Sequence, residues 1–165
     1  MGISLKEVAI SAIYSSPLRR ALDTAQAIAD SHQMTVQVEP NLRELEVGEL
    51  EGVSISELGT NFSHFLVQWQ GKRGSVKMPG GESLDELGDR VGLVIQRIIE
   101  KHKNEVVAVV SHFFTTVTAI CRSLDLPMNH IERIRVQPSS ISILDFEGGR
   151  PCLVLLSDTC HLRES

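Results

Sequence analysis

The clearest feature of the sequence is an unbroken apolar run, VVAVV at residues 106–110, which stops abruptly at Ser111 and His112. A continuous run of this length predicts a strand that is buried on both faces, as in a parallel sheet. A shorter apolar stretch at 12–14 predicts a second strand. The remaining predicted strands are TVQV at 35–38 and the segments 139–146 and 151–158, which flank a Gly-Gly turn and predict a hairpin.

Helical periodicity occurs between the strands. Apolar residues over 18–28 fall on one face and predict a helix, with Ser16 as its cap and Pro17 at its first position. The segment MPGGES predicts a turn that caps a long helix over 84–102. The other predicted helical segments are 4–11 (the last turns of a helix), 54–58, 60–70 and 113–124. This alternation predicts a single α/β domain over residues 1–165 with a mostly parallel sheet.

Composition excludes several classes of protein. Hydrophobic residues make up 42% of the chain and charged residues 22%, the balance of an ordinary globular domain. The net charge of −5 argues against a partner that is nucleic acid or an acidic membrane surface. No apolar run approaches the roughly 20 residues that a membrane-spanning helix needs. The three cysteines form no CxxC pair, and their odd number favours a reducing, cytoplasmic location.

Three polar positions are candidates for chemistry. His112 follows the long apolar run, and ligands of parallel α/β sheets bind beyond the carboxyl ends of the strands. Arg19 and Arg20 follow the first predicted strand, where one guanidinium group can form two hydrogen bonds to a phosphate. Glu44 lies in an acidic segment and is a candidate proton donor. Each also has a structural explanation: a hydrogen-bonded histidine, two solvated arginines and a charged surface loop.

Four segments together resemble the histidine phosphatase superfamily, the phosphoglycerate-mutase-like group, and most closely its phosphatase branch. In chain order they are YSSPLRRALDTAQAIA, LRELEVGELEG, PGGES and VVSH. The resemblance implies a three-layer sandwich of a mostly parallel sheet flanked by helices. It implies that Arg20 binds phosphate, that Glu44 protonates the leaving oxygen, and that His112 binds and helps to neutralise the transferring phosphoryl group. It implies no cofactor and no metal, and the sequence contains no HxH, HxxxH or HExxH pattern.

The sequence departs from this family at the nucleophile. Family catalysis uses a histidine in an Arg-His-Gly motif after the first strand, and no such triplet occurs among the 165 residues. The resemblance therefore implies that the first strand, the nucleophile loop and most of the first helix are absent from this chain. Three explanations are open: a sequence shortened relative to the family, a partner that supplies the segment, or an enzyme that has lost its activity.

A second departure is an aromatic pair, Phe113 and Phe114, where many members of the family have a glycine directly after the histidine. With Trp69, these side chains are candidates for a substrate pocket that favours apolar phosphoesters, although residues of this kind also pack in ordinary cores.

These observations favour a phosphomonoester phosphatase that acts on a small phosphorylated substrate through a phosphohistidine. The alternatives are a phosphotransferase of the phosphoglycerate mutase type, which is an isomerase, and a non-catalytic protein that binds phosphoesters or acts as a scaffold. The expected partners are the substrate and either a second copy of the chain or a segment that supplies the missing strand.

Overall fold

The computed structural model describes residues 5–162, and its centre is a parallel sheet of three strands. The strands are β1 (Ile10–Ser15), β2 (Val36–Val38) and β3 (Val106–Val110), in the order β2-β1-β3. Ile13 is the register partner of Val36 on one side and of Ala108 on the other. All three strands were predicted, and their positions are confirmed. The predicted burial of β3 on both faces is wrong: none of its five residues is fully buried, and Val106 and Val109 are 51% and 39% exposed.

Helices cover both faces of this sheet because successive side chains of a strand point to opposite faces. Ile13 faces α1 (Arg19–His32) and packs against its buried residues Ala25 and Ile28. Tyr14 lies on the other face, beside the cluster that includes Val94 of α4 (Leu84–Lys101). The domain therefore has the helix–sheet–helix layers that were expected.

The long helix α4 begins where the sequence predicts. Ser83 accepts a hydrogen bond from the backbone N–H of Glu86 (3.2 Å), and the carboxylate of Glu86 accepts one from the Ser83 N–H (2.9 Å). This reciprocal capping box satisfies two backbone donors that the first turn of the helix would otherwise leave free. The buried stripe of α4 then packs against α5 (Phe113–Ser123) in the larger core of the domain.

The C-terminal hairpin consists of β4 (Ile141–Asp145) and β5 (Cys152–Asp158), which are antiparallel. Gly148 and Gly149 in the connection have φ angles of 71° and 75°, which glycine adopts without a steric penalty. The hairpin was predicted, but within residues 5–162 it forms a sheet of its own and does not pair with β3. The outer edge of β3 therefore has no strand beside it in the described part of the chain.

Two short helices, α2 (Ile55–Asn61) and α3 (Ser63–Gly71), lie in the region between β2 and α4. Both were predicted, and the observed helices are slightly displaced from the predicted segments 54–58 and 60–70.

Two local predictions were wrong. The predicted helical segment at 4–11 is a turn at residues 5–8 followed by β1, and residue 4 lies outside the described residues. Helix α1 begins at Arg19 after Leu18, so Ser16 does not cap it and Pro17 precedes its first turn. The hydroxyl oxygen of Ser16 accepts from the backbone N–H of Leu18 (3.3 Å), which precedes the helix, and its shorter contact is with a residue of another part of the chain.

Candidate active site

The candidate site lies where β1 and β3 end side by side. Ser16 follows β1 directly, and His112 follows β3 after one residue. The backbone N–H of Ser16 donates to the carbonyl of Val110 (3.0 Å), so the two strand ends are joined through the backbone. His112 is the residue before α5, and only 9% of its surface is exposed. This is the place at which parallel α/β sheets bind ligands.

Arg20 brings a positive charge to this place from the first turn of α1. Its Nε–H donates to Nδ1 of His112 (3.1 Å), although the two residues are 92 positions apart in the sequence. Arg20 is itself exposed, and within residues 5–162 no protein group accepts a hydrogen bond from its terminal amino groups. These amino groups can therefore form the two parallel hydrogen bonds with which arginine binds a phosphate.

The neighbouring Arg19 is different. It is 94% exposed at its side chain and lies 3.8 Å from the carboxylate of Asp23 on the same helix. The resemblance implies that Arg20, and not Arg19, belongs to the site, and the structure brings only Arg20 of this pair into contact with His112.

The second ring nitrogen of His112 also makes a hydrogen bond. Its Nε2 lies 2.8 Å from the hydroxyl oxygen of Ser16, which is fully buried. Burial lowers the pKa of His112, and the positive charge of Arg20 lowers it further, against a smaller opposite effect of the Glu44 carboxylate. The site therefore favours the neutral imidazole.

Glu44 lies at the N-terminus of α5, next to His112. Its carboxylate accepts from the backbone N–H groups of Phe114 and Thr115, each at 3.2 Å, and from that of Leu45 at 2.9 Å. The positive end of a helix dipole and three N–H donors stabilise a carboxylate in this position. The structure thus brings together the three residues that the sequence proposed, Arg20, Glu44 and His112, around one helix terminus.

Arg90 of α4 holds the loop that carries Glu44, and the sequence analysis missed it. Its guanidinium group donates to both carboxylate oxygens of Glu82, at 3.0 and 2.6 Å. It also donates to the backbone carbonyls of Asn41 (2.5 Å), Arg43 (3.0 Å) and Glu44 (3.1 Å). The Glu82 in PGGES, eight residues before Arg90, is the only sequence signal that points to this contact.

The aromatic candidates differ in their surroundings. Phe113 is 44% exposed, and its ring meets that of Phe114 edge to face with centroids 5.0 Å apart. Trp69 of α3 stacks on Phe65 and lies under the guanidinium group of Arg73 (5.1 Å). Both Trp69 and Phe114 pack against the core cluster of α4 and α5. Phe113 is therefore the most accessible of the three to a substrate.

The described residues contain neither a metal-binding cluster nor a membrane-spanning helix. Within 5–162 there is no group of three or more His, Cys, Asp or Glu side chains that could hold a metal ion. None of the helices in that range is long and apolar enough to cross a membrane.

Comparison with curated proteins finds relatives along nearly the whole chain. Phosphoserine phosphatase 1 of Hydrogenobacter thermophilus is 29% identical over 155 residues, which cover 94% of this chain and 74% of the relative. Phosphoglycerate mutase-like protein 4 of Arabidopsis thaliana is 33% identical over 162 residues, which cover 97% of this chain and 70% of the relative.

Among solved structures, YhfR of Bacillus stearothermophilus superimposes with a TM-score of 0.88 at 26% identity, over 98% of this chain and 80% of that protein. The sequence profile of the histidine phosphatase superfamily (branch 1) matches residues 1–159. The expected α/β fold and the expected family are both confirmed, and the chain belongs to the histidine phosphatase superfamily.

Proposed function

We propose that this chain supplies the phosphate-binding and proton-donating half of a phosphomonoester phosphatase that works through a phosphohistidine. The observation that carries the proposal is the contact of Arg20 with His112 at the strand ends, beside the carboxylate of Glu44. These are the residue types that phosphoryl transfer needs, since its catalysis consists mainly of positioning and of charge stabilisation. The names of the relatives, a phosphoserine phosphatase and a phosphoglycerate mutase-like protein, support a small phosphorylated substrate.

In the proposed reaction, a neutral histidine nitrogen attacks phosphorus and the bond between phosphorus and the ester oxygen breaks. Glu44, in its protonated form, gives its proton to the leaving oxygen, and water then hydrolyses the phosphohistidine. Arg20 binds phosphoryl oxygens through its terminal amino groups, while His112 donates a hydrogen bond to another.

We further propose that the attacking histidine belongs to a segment that pairs with the open edge of β3. No Arg-His-Gly triplet occurs in the 165 residues, so none of them supplies this motif. Val106 and Val109 of β3 are 51% and 39% exposed. An added strand would satisfy the backbone groups of the β3 edge and cover apolar side chains of this kind.

The test is hydrolysis of p-nitrophenyl phosphate by two proteins without added metal. One is the 165-residue chain, and the other carries an N-terminal extension with a strand, the Arg-His-Gly loop and the start of a helix. We expect activity in the extended protein only, and a loss of 100-fold or more with His112→Ala, as expected when a general catalytic group is removed. Activity in the short chain that depends on His112 would overturn the assignment of the nucleophile.

A second candidate is a non-catalytic protein that binds phosphoesters. It is favoured by one observation: the contact between Arg20 and His112 places a guanidinium group and an imidazole side by side, and binding of an anion there needs no nucleophile. Binding of inorganic phosphate by both proteins, with no hydrolysis by either, would support this candidate over the phosphatase.

We also infer a cytoplasmic location. Cys121 and Cys152 form no disulfide, and Cys152 is exposed. Exposed free thiols persist in a reducing compartment. Trapping of the thiols with a membrane-permeant alkylating reagent in intact cells, compared with an impermeant one, tests this location.

A further inference from the structure

We propose that Ser16 is a positioning residue which, together with Arg20, holds His112 as the tautomer with its proton on Nε2 and fixes the orientation of the ring. This role rests on the proposed function, because it explains how His112 is prepared to bind a phosphoryl oxygen. Ser16 is not in contact with the reacting atoms in this proposal; it acts through His112.

The hydrogen bond that Arg20 donates to Nδ1 of His112 decides the tautomer. A guanidinium group carries only N–H donors and stays protonated in proteins, so the Nε of Arg20 can only donate. At 3.1 Å from that nitrogen, Nδ1 of His112 must accept, and its lone pair is therefore occupied. A neutral imidazole has one donor and one acceptor nitrogen, so its proton lies on Nε2.

The acceptor at Nε2 is the hydroxyl oxygen of Ser16, 2.8 Å away. Ser16 is fully buried, and its backbone N–H donates to the carbonyl of Val110, so its position is set by both strands. A buried N–H without an acceptor is unfavourable, so this hydrogen bond holds the ring in one orientation. Arg20 thus determines which nitrogen carries the proton, and Ser16 determines where that proton points.

Two charged groups of neighbouring elements face His112. Arg20 of α1 opposes the imidazolium form, and the carboxylate of Glu44, in the loop that follows β2, favours it. Neither ring nitrogen carries a free lone pair in the neutral form described here. In this form His112 has no unengaged lone pair with which to attack phosphorus, and the hydrogen bond that it can offer is donated from Nε2.

The experiment is NMR spectroscopy of the 165-residue chain with ¹⁵N-labelled histidine, with no substrate present. In the wild type we expect the chemical shifts of His112 to show a proton on Nε2 and none on Nδ1, with slow solvent exchange of the Nε2 proton. In Ser16→Ala we expect at least tenfold faster exchange of that proton. We also expect a lower pKa of His112, because the imidazolium form loses its acceptor.

Ser15→Ala is the matched control. Ser15 is as buried as Ser16, but its hydroxyl donates to the backbone carbonyl of Ser16 and does not contact His112.

A proton on Nδ1 in the wild type would overturn the proposal, as would unchanged exchange and an unchanged pKa in Ser16→Ala. The wild-type spectrum tests the tautomer even if Ser16→Ala does not fold. None of these measurements involves hydrolysis, so an inactive extended protein would count against the proposed function and leave this result unaffected.

Discussion

At the scale of single residues, the two adjacent arginines give the sharpest test of phosphate binding. Arg20→Lys keeps the positive charge but loses the planar pair of amino groups and the donor to Nδ1 of His112. We expect the affinity for inorganic phosphate, measured by isothermal titration calorimetry, to fall roughly tenfold, which corresponds to about 1.4 kcal/mol. The matched control is Arg19→Lys, at a side chain that is 94% exposed, and we expect it to bind as the wild type does. Equal losses in both variants would show that general charge, and not this site, binds the anion.

His112 also predicts a dependence of stability on pH. Burial and Arg20 lower its pKa in the folded state, so the unfolded chain binds a proton more readily. The contribution of His112 is therefore fully present above its ordinary pKa of about 6.5 and is lost as the pH falls from there through the lowered value.

We expect thermal melts between pH 4.5 and pH 7.5 to show a smaller loss of melting temperature at low pH in His112→Asn than in the wild type. The difference between the two profiles isolates His112 from the other titrating groups of the chain. Parallel profiles would mean that the surroundings of His112 do not favour its neutral form.

The candidate residues differ in how far the sequence could reveal them. His112 and Arg20 were found because strand ends and the family resemblance both point to them. The contact of Ser16 with His112 was missed because a serine before a proline is also typical of a helix cap. A contact with a residue 96 positions away has no local signature in the sequence. Arg90 was missed for the same reason, since it bonds to a loop that lies 46 to 49 residues before it.

At the scale of elements, Arg90 joins α4 to the loop that carries Glu44. Its side chain is 19% exposed and that of Glu82 is 15% exposed, so loss of this ion pair leaves a poorly solvated carboxylate. We expect Arg90→Ala to lower the free energy of unfolding by about 2 kcal/mol, between the cost of breaking an exposed ion pair and that of breaking a buried one. Urea denaturation measures this value.

The control for Arg90 lies two turns further along the same helix. Arg97 also binds a carboxylate, that of Glu39 at 2.8 Å, but its side chain is 61% exposed. Exposed pairs contribute about 0.2–1 kcal/mol, so Arg97→Ala should cost less than 1 kcal/mol. Similar costs in the two variants would show that Arg90 does not stabilise the Glu44 loop more than a surface pair would.

Elements were easier to predict than contacts. The N-terminal cap of α4 and the glycine turn of the hairpin depend on residues close in sequence, and both were predicted correctly. The separation of the hairpin from the parallel sheet depends on what lies beside β3, and periodicity within a strand contains no information about its neighbour.

At the scale of the whole molecule, we expect a charged substitution to have different effects at the two edges of the parallel sheet. Val109 lies on β3, at the edge where the additional strand is proposed, and Val38 lies on β2, at the far edge. Both are exposed, at 39% and 53%, so a lysine at either position leaves the core intact. A charge on an edge strand opposes the pairing of another strand there.

We therefore expect a synthetic peptide with the strand and the Arg-His-Gly loop to restore hydrolysis of p-nitrophenyl phosphate to the 165-residue chain when the two are mixed. Val109→Lys should raise the peptide concentration for half-maximal activity at least tenfold, while Val38→Lys should leave it unchanged. If Val38→Lys weakens the response and Val109→Lys does not, the strand is added beside β2, far from His112, and the proposed geometry of catalysis is wrong. If neither lysine matters although the peptide restores activity, the nucleophile reaches the site without joining the sheet.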